Sequence, residues 1–409
     1  MTTAAARRPQ LAHLTAQLND LRQRGTFFKL RELDDQQAPV CTYDGKRVIN
    51  LASNNYLGLC NHPRLEEAAI AATKKFGVGS GAVRTIAGTM RIHMELEEKI
   101  AAFKGVEACV VFQSGFAANA GTVSSILGKD DFILSDELNH ASIIDGARLS
   151  KAKIKVFRHK DIAHAEELLR EVQNEPGHKL LITDGVFSMD GDIGPVDKLA
   201  HLAEKYGAIM MVDDAHASGV LGRNGRGSVD HFHMTDKVDV QVGTLSKAIG
   251  ALGGYVCGSR DLIDYLYHRA RPFLFSTSHP PSVAATCIAA FDILESEPER
   301  IQRLWDNTRY FKQQLTDAGF DVGGNSTPKS ETPITPIIIG GSQDARRTMD
   351  FSRALFEAGV MATGIAFPTV PEGKARIRTI MTSEHTRAEI DQALEVFSSV
   401  ARKTGVLQA

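Results

Sequence analysis

The chain predicts an α/β protein, a mainly parallel sheet covered on both faces and followed by a smaller α+β unit at the C-terminal end. Three observations carry that expectation. From Glu107 onward, short apolar runs (ACVVFQ, FILSD, IKVF, KLLITD, AIMMVDD and VDVQVG) alternate with helical stretches such as FAANAGTVSSIL, ASIIDGARL and PVDKLAHLAEKY. That is the pattern of strands buried on two sides and joined by helices. A polar residue stands at or just after the end of nearly every run, as at the edge where open α/β sheets bind ligands. Beyond about Gly324 the pattern changes to TPITPIII, a helix ending at Gly359, RIRTIMTS, and a last helix opened by the capping box Thr386 to Glu389.

The earlier elements follow from local chemistry. Leu11, Leu14, Leu18 and Leu21 recur every three or four residues, so they mark an amphipathic helix that Gly25 stops and that must rest on something apolar. VCTY and KRVINLAS flank Asp44-Gly45, a strong hairpin signal. The hairpin delivers SNNYLGL, where Asn54 and Asn55 serve as turn residues or Asn55 offers its amide to a ligand. Pro63 opens a helix that runs to Phe76 and stops at Gly77. GVGSGAVRTIAGT has no strand before it and opens no helix, so it is an irregular loop near the site rather than a dinucleotide fingerprint. RPFLFSTSHPP closes the sheet domain, and a helix-rich passage holding Trp305 leads away. The expected divisions are an N-terminal helix and hairpin segment over 1–58, a large domain over 59–285 and a small domain over 286–409.

Composition narrows the function. With 409 residues, 43% hydrophobic and 23% charged, the chain can bury a large core. A net charge of -2 gives no basic field, which argues against nucleic acid or an anionic membrane as partner. MTTAAARRPQ is not followed by an apolar signal segment and no run reaches a membrane span, so a cytoplasmic protein is expected. Cys41, Cys60, Cys109, Cys257 and Cys287 never form a C-x-x-C pair, which argues against zinc and against a disulfide framework; no metal is expected. His93 to Glu95 spells an H-x-E without its P-C-x-x-C, and the S-x-x-K at Ser150 and K-T-G at Lys403 lack an S-D-N between them.

The chemistry gathers at strand ends. VDVQVGTLSKAIGALGG sets Lys247 just past a strand, among apolar residues and glycines, where lost hydration lowers an amine's pKa and makes it a usable nucleophile. IMMVDDAH carries Asp213 through the core, with His216 beside it; a buried aspartate facing a pyridine nitrogen keeps that ring protonated and able to accept electrons. Asp213 and Lys247 are thus the two poles of a pyridoxal 5'-phosphate site. Ser114, Gly115 and Phe116 open a helix whose free N–H groups suit a phosphate. Ser188, Thr244, Ser276 and Thr277 offer hydroxyls, and His140 places a flat ring at the rim. Arg378 is placed to clamp an amino acid carboxylate.

NNYLGL, SGAVRTIAGT, NHASIIDG, TDGVFSMDGDI, VDDAHASGVLG, GTLSKAIGALGG, RPFLFSTSHPP and ARIRTIMTSEHT, in this order over about residues 20 to 400, resemble the α-oxoamine synthases. The resemblance implies a fold type I, aspartate aminotransferase-like pyridoxal phosphate enzyme, with a mainly parallel seven-stranded sheet and a smaller α+β C-terminal domain, that condenses a small amino acid with an acyl-CoA. It implies that Lys247 holds the cofactor and moves protons, that Asp213 meets the pyridine nitrogen, that His140 stacks on the ring and that His216 reaches the phenolic oxygen. Ser114 to Phe116 and Thr244 would hold the phosphate, joined by Ser276 and Thr277 from the second subunit of a homodimer with shared active sites. Asn55, Ser188 and Arg378 would contact cofactor and amino acid. NHASIIDGARLSKAK and TDGVFSMDGDI look most like the glycine C-acetyltransferase branch, which joins glycine to acetyl-CoA. SGFAANAG is closer to the biotin-pathway branch, 8-amino-7-oxononanoate synthase, which uses alanine and pimeloyl-CoA; an enzyme of broad specificity is the remaining alternative.

Overall fold

The computed structural model of the protein describes residues 9–407 apart from 326, 342 and 368. The arginine pair of MTTAAARRPQ lies outside the described residues. Helix α1 (Ala12–Gln23) forms where the leucine spacing predicts it, but Leu11, Leu14, Leu18 and Leu21 remain 40% to 56% exposed. The apolar support that the stripe requires is therefore absent from the chain's own described residues. The hairpin is β1 (Val40–Tyr43) and β2 (Lys46–Asn50), with Tyr43 paired to Lys46. Asp44 and Gly45 take φ of 50° and 73°, the left-handed pair that a tight hairpin turn needs.

Helix α2 (Pro63–Phe76) and helix α3 (Arg91–Lys104) flank the glycine-rich segment. Within it, Arg84–Gly88 form one wide helical turn, and Ala82 and Val83 pair with Ser278 and Thr277. Arg84 holds the turn through a buried ion pair to Glu97 at 2.8 Å.

The large sheet comprises β3 (Ala108–Phe112), β4 (Phe132–Asp136), β5 (Lys153–Phe157), β6 (Lys179–Asp184), β7 (Ile209–Asp213), β8 (Val240–Thr244) and β9 (Gly254–Gly258). Its order is β3-β9-β8-β7-β6-β4-β5. Strands β4 to β8 pair parallel, while β9 runs antiparallel to both β3 and β8. Helices α4 (Gly115–Ile126) and α5 (Ala141–Ser150) pack Ala118, Val123, Ile143 and Ala147 on one face. Helices α6 (Ile162–Val172) and α7 (Val196–Tyr206) pack Leu169, Leu199 and Ala203 on the other. Both faces are therefore covered, as the apolar runs require, except at the edge strand β5, where Ile154 and Val156 remain exposed.

The seventh strand, β9, is hidden by its glycines. A Cβ on Gly254 would lie 2.4 Å from the Ser114 carbonyl oxygen, and one on Gly258 would lie 2.6 Å from the Asp239 carbonyl oxygen. Close backbone approach demands glycine where strand propensity disfavours it.

After β9 the chain forms α8 (Arg260–Arg269), α9 (Pro281–Ser296) and α10 (Glu299–Asp317). The small sheet joins β10 (Ile334–Ile338), β12 (Thr363–Ile365) and β13 (Arg376–Ile380) in the order β10-β13-β12, while β11 (Val360–Met361) adds parallel to β2. The last helix, α11 (Arg387–Thr404), begins with the capping box Thr386–Glu389. The N-terminal hairpin is thus built onto C-terminal structure, and α9 runs unbroken across residue 285 with Ala284, Cys287 and Phe291 in one core with Leu65 and Leu96. Among the described residues no helix is long and apolar enough to cross a membrane, and no group of three or more His, Cys, Asp or Glu is arranged to hold a metal ion.

Candidate active site

Strands β6, β7 and β8 end on one side of the sheet, and the turns that follow them meet the N-terminus of α4. There they enclose a cavity of about 210 Å³. Ser114, Gly115 and Phe116 line it from the turn into α4, and Asp213, His216, Thr244 and Lys247 from the strand ends. His140 and Ser188 complete the rim. Residues far apart in the chain are brought together by sheet topology.

Asp213 is 4% exposed. Its Oδ1 accepts from the Ala215 N–H at 2.8 Å and its Oδ2 from Asn119 Nδ2 at 2.6 Å. Asn119 also donates to Ser142 Oγ at 2.9 Å, so α4 and α5 both steer the carboxylate. Asp184 lies in register beside it, and burial together with the charge of Asp213 pushes the Asp184 carboxyl well above the usual range. Its Oδ2 accepts from the His140 backbone N–H at 2.9 Å.

Among the described residues the Lys247 amine has no hydrogen-bond or ion-pair partner. Burial, partly opposed by the charge of Asp213 and reinforced by Arg378, brings its pKa down to about 8. About a tenth is then the free amine at pH 7, against well under a thousandth for an ordinary lysine. His216 is held neutral, first by burial and then by the positive charges of Lys247 and Arg378. His140 caps α5: its Nδ1 accepts from the Ser142 N–H at 3.2 Å, and burial lowers its pKa. Ser114 caps α4 by accepting from the Ala117 N–H at 3.0 Å. Thr244 Oγ1 donates to the Gly253 carbonyl at 2.9 Å and lies 2.7 Å from Ser246 Oγ.

Arg378, on β13, reaches across from the small sheet. Its Nε donates to the Ser188 carbonyl at 2.7 Å and its Nη2 to Asn54 Oδ1 at 3.3 Å. Burial lowers its pKa. The expected asparagine is displaced by one position: Asn55 turns inward, its Oδ1 accepting from the Cys60 N–H at 3.3 Å, because the tight SNNYLGL turn needs that cap. Asn54 is the one that meets the arginine. Ser276 and Thr277 do not line this chain's cavity; Thr277 pairs with Val83, and its carbonyl accepts from Gln113 Nε2 at 2.9 Å. Sequence reasoning missed Asn119, Asp184 and Tyr56. Asn119 stands four residues after Gly115, on the face of α4 that Gly115 opens, and Asp184 ends its apolar run just as Asp213 does, so both left a signal.

This donor set fits pyridoxal phosphate. A helix N-terminus suits the phosphate, a buried carboxylate suits the ring nitrogen, and an amine of lowered pKa suits the aldehyde. A second cavity, of about 900 Å³, adjoins the first and shares His140 and Ser188 with it. Its walls include Leu138, Ile144, Phe187, Met189, Phe367 and Val370.

Known proteins agree with this geometry. The family described as aminotransferase class I and II matches residues 46–397. An 8-amino-7-oxononanoate synthase of Symbiobacterium thermophilum is 58% identical over 394 residues, covering 96% of this chain and 98% of that protein. The 8-amino-7-oxononanoate synthase 1 of Bacillus subtilis is 55% identical, covering 96% and 98%. The structure of serine palmitoyltransferase from Sphingomonas wittichii matches with a TM-score of 0.91 at 31% identity, over 98% of this chain and 100% of that one. A serine palmitoyltransferase solved with pyridoxal phosphate has the same TM-score.

These relatives overturn the expectation of glycine C-acetyltransferase. The polar residues of the motifs that favoured it serve the rim, while Ile144, Phe187 and Met189 from the same motifs line the second cavity. Asn139 of NHASIIDG donates to the Ile182 carbonyl and accepts from the Asp184 N–H, and Asp190 and Asp192 of FSMDGDI pair with Arg376 and His159. Holding a cofactor places the same demands on them whatever acyl group is used. From the matched family, the relatives and the assembled site, the chain belongs to the class I and II aminotransferase family and, within it, to the pyridoxal phosphate-dependent α-oxoamine synthases.

Proposed function

We propose that the protein is an 8-amino-7-oxononanoate synthase, condensing L-alanine with a heptanedioyl (pimeloyl) thioester of coenzyme A. The product name dictates the pieces. Carbons 1 to 7 are the seven-carbon acyl group, and carbons 8 and 9 with the amine are alanine less its carboxylate. One carbon–carbon bond forms, the thioester bond breaks, and carbon dioxide and coenzyme A leave. The observation that carries the reading is the identity to 8-amino-7-oxononanoate synthases across almost the whole chain.

The cavities agree with it. An acetyl group needs little room, whereas a seven-carbon arm needs a long apolar wall such as the second cavity provides.

When bound, pyridoxal phosphate supplies an aldehyde for amine capture and a protonated ring that accepts carbanion charge. In this reading Asp213 holds the proton on the ring nitrogen, and the α4 N-terminus with Ser114, Gly115, Phe116 and Thr244 holds the phosphate. His140 stacks on the ring. Lys247 Nζ accepts the α-proton of alanine, and Arg378, with Ser188 and Asn54, orients the alanine carboxylate. Two copies complete each site through Ser276 and Thr277. Support for that comes from the segments around them, where Phe275 is 70% exposed and Ile86, beside the paired Val83, is 84% exposed.

A thiol-release assay of the holoenzyme across glycine, alanine and serine, each with acetyl-CoA and heptanedioyl-CoA, tests the reading. Turnover is expected to be greatest with alanine and heptanedioyl-CoA, from a species that sediments as a dimer. Preference for a short acyl group would reject the substrate assignment, and a fully active monomer would reject the shared site.

A further inference from the structure

His216 is a ring with two nitrogens and one proton, and which nitrogen carries it decides what the ring offers the cavity. Its Nδ1 lies 2.8 Å from the hydroxyl of Tyr56, and the two rings meet edge-on, with centroids 6.2 Å apart at 85°. Tyr56 is 1% exposed, so water does not compete for that hydroxyl. Among the described residues His216 is the one hydrogen-bond partner of the Tyr56 oxygen. The nearest charge is the Arg378 guanidinium, which donates and cannot accept.

The phenol proton therefore has a single acceptor, His216 Nδ1. Were Nδ1 protonated instead, it would donate to the phenol oxygen and leave the phenol proton buried without a partner, a costly arrangement. The surroundings agree: burial raises the Tyr56 pKa, which keeps its proton on, and lowers that of His216, which keeps the ring neutral. The Nε2 atom has no partner among the described residues and is not sealed from the cavity that His216 lines.

We infer that Tyr56 is a positioning residue that locks His216 in the tautomer protonated at Nε2, so the ring presents an N–H donor and not a lone pair to the cavity beside Lys247. A donor there suits an oxygen anion such as the phenolic oxygen of the cofactor, and it reserves proton abstraction for Lys247. The inference rests on the reading that His216 meets the cofactor. It does not depend on which amino acid or thioester is used.

Nitrogen-15 NMR of the holoenzyme and the apoenzyme, labelled at histidine and assigned by the spectrum lost in His216→Gln, tests it. Wild type is expected to show Nε2 protonated and Nδ1 bare in both forms. In Tyr56→Phe the tautomers should mix, and turnover should fall by roughly tenfold with little change in the amino acid KM, as for a residue that orients another. A wild-type ring protonated at Nδ1 would overturn the inference, as would a Tyr56→Phe tautomer identical to wild type. The wild-type spectrum decides alone if the variant does not fold. Failure of the substrate assignment would leave these spectra unchanged, so the two outcomes are separable.

Discussion

Lys247→Ala is expected to lower turnover by at least about 10³-fold, because it removes both the amine that captures the cofactor and the base that moves the α-proton. The fold should survive, since that amine has no hydrogen bond or ion pair among the described residues. Purified protein should lose the visible absorption of bound pyridoxal phosphate, and a variant that keeps both the band and its activity would reject the assignment. The same group sets a pH dependence. Its pKa is lowered to about 8, so the free amine gains population as pH rises through that value. The rate at which apoenzyme captures pyridoxal phosphate should therefore climb between about pH 7 and 9 and then level off. In stopped-flow mixing, a rate flat across that window would assign the capture to another group.

Asp213→Asn is expected to lower turnover by about 10²–10³-fold, as for removal of one preorganised electrostatic partner. The amide is nearly isosteric and keeps an oxygen to accept the Ala215 N–H, but it has no negative charge to hold a proton on the ring nitrogen. Cofactor affinity should change less than turnover, because the phosphate end is untouched. Activity within tenfold of wild type would mean that the ring proton is held elsewhere, with Asp184 the first candidate.

Much of this site was legible in the sequence because parallel strands declare themselves. Continuous apolar runs such as IMMVDD and VDVQVG lead to the ligand edge, and that is the ground on which Asp213 and Lys247 are expected there. The hairpin at Asp44-Gly45 and the helix from Pro63 to Phe76 were legible for equally local reasons. What was lost depended on distant contact. Strand β9 has no continuous apolar run of its own because close approach to the Ser114 and Asp239 carbonyls forces glycine to both its ends. The choice between Asn54 and Asn55 depends on which amide caps the turn, and the two neighbours have the same chemistry. Tyr56 leaves no local signal within NNYLGL, since its partner lies 160 positions away. The acyl preference was misjudged because the wall of the second cavity joins Ile144 and Phe187 of the motifs compared to Phe367 and Val370 of the small domain, a combination that no single stretch displays.

The reversed strand also governs the order of assembly. Strand β3 has β9 as its single neighbour in the large sheet, and Phe112 pairs with Gly254, so β3 cannot dock until the intervening βα units have been laid down. Closing so long a loop is slow compared with adding the neighbouring parallel strands. The turn at Ser114 to Phe116, which follows β3, is then among the last parts to reach its final place. During refolding, helical circular dichroism should recover before the apoenzyme regains tight binding of pyridoxal phosphate; simultaneous recovery would put β3 early. Vitamin capture would thus act as a seal on a finished chain rather than a scaffold for an unfinished one.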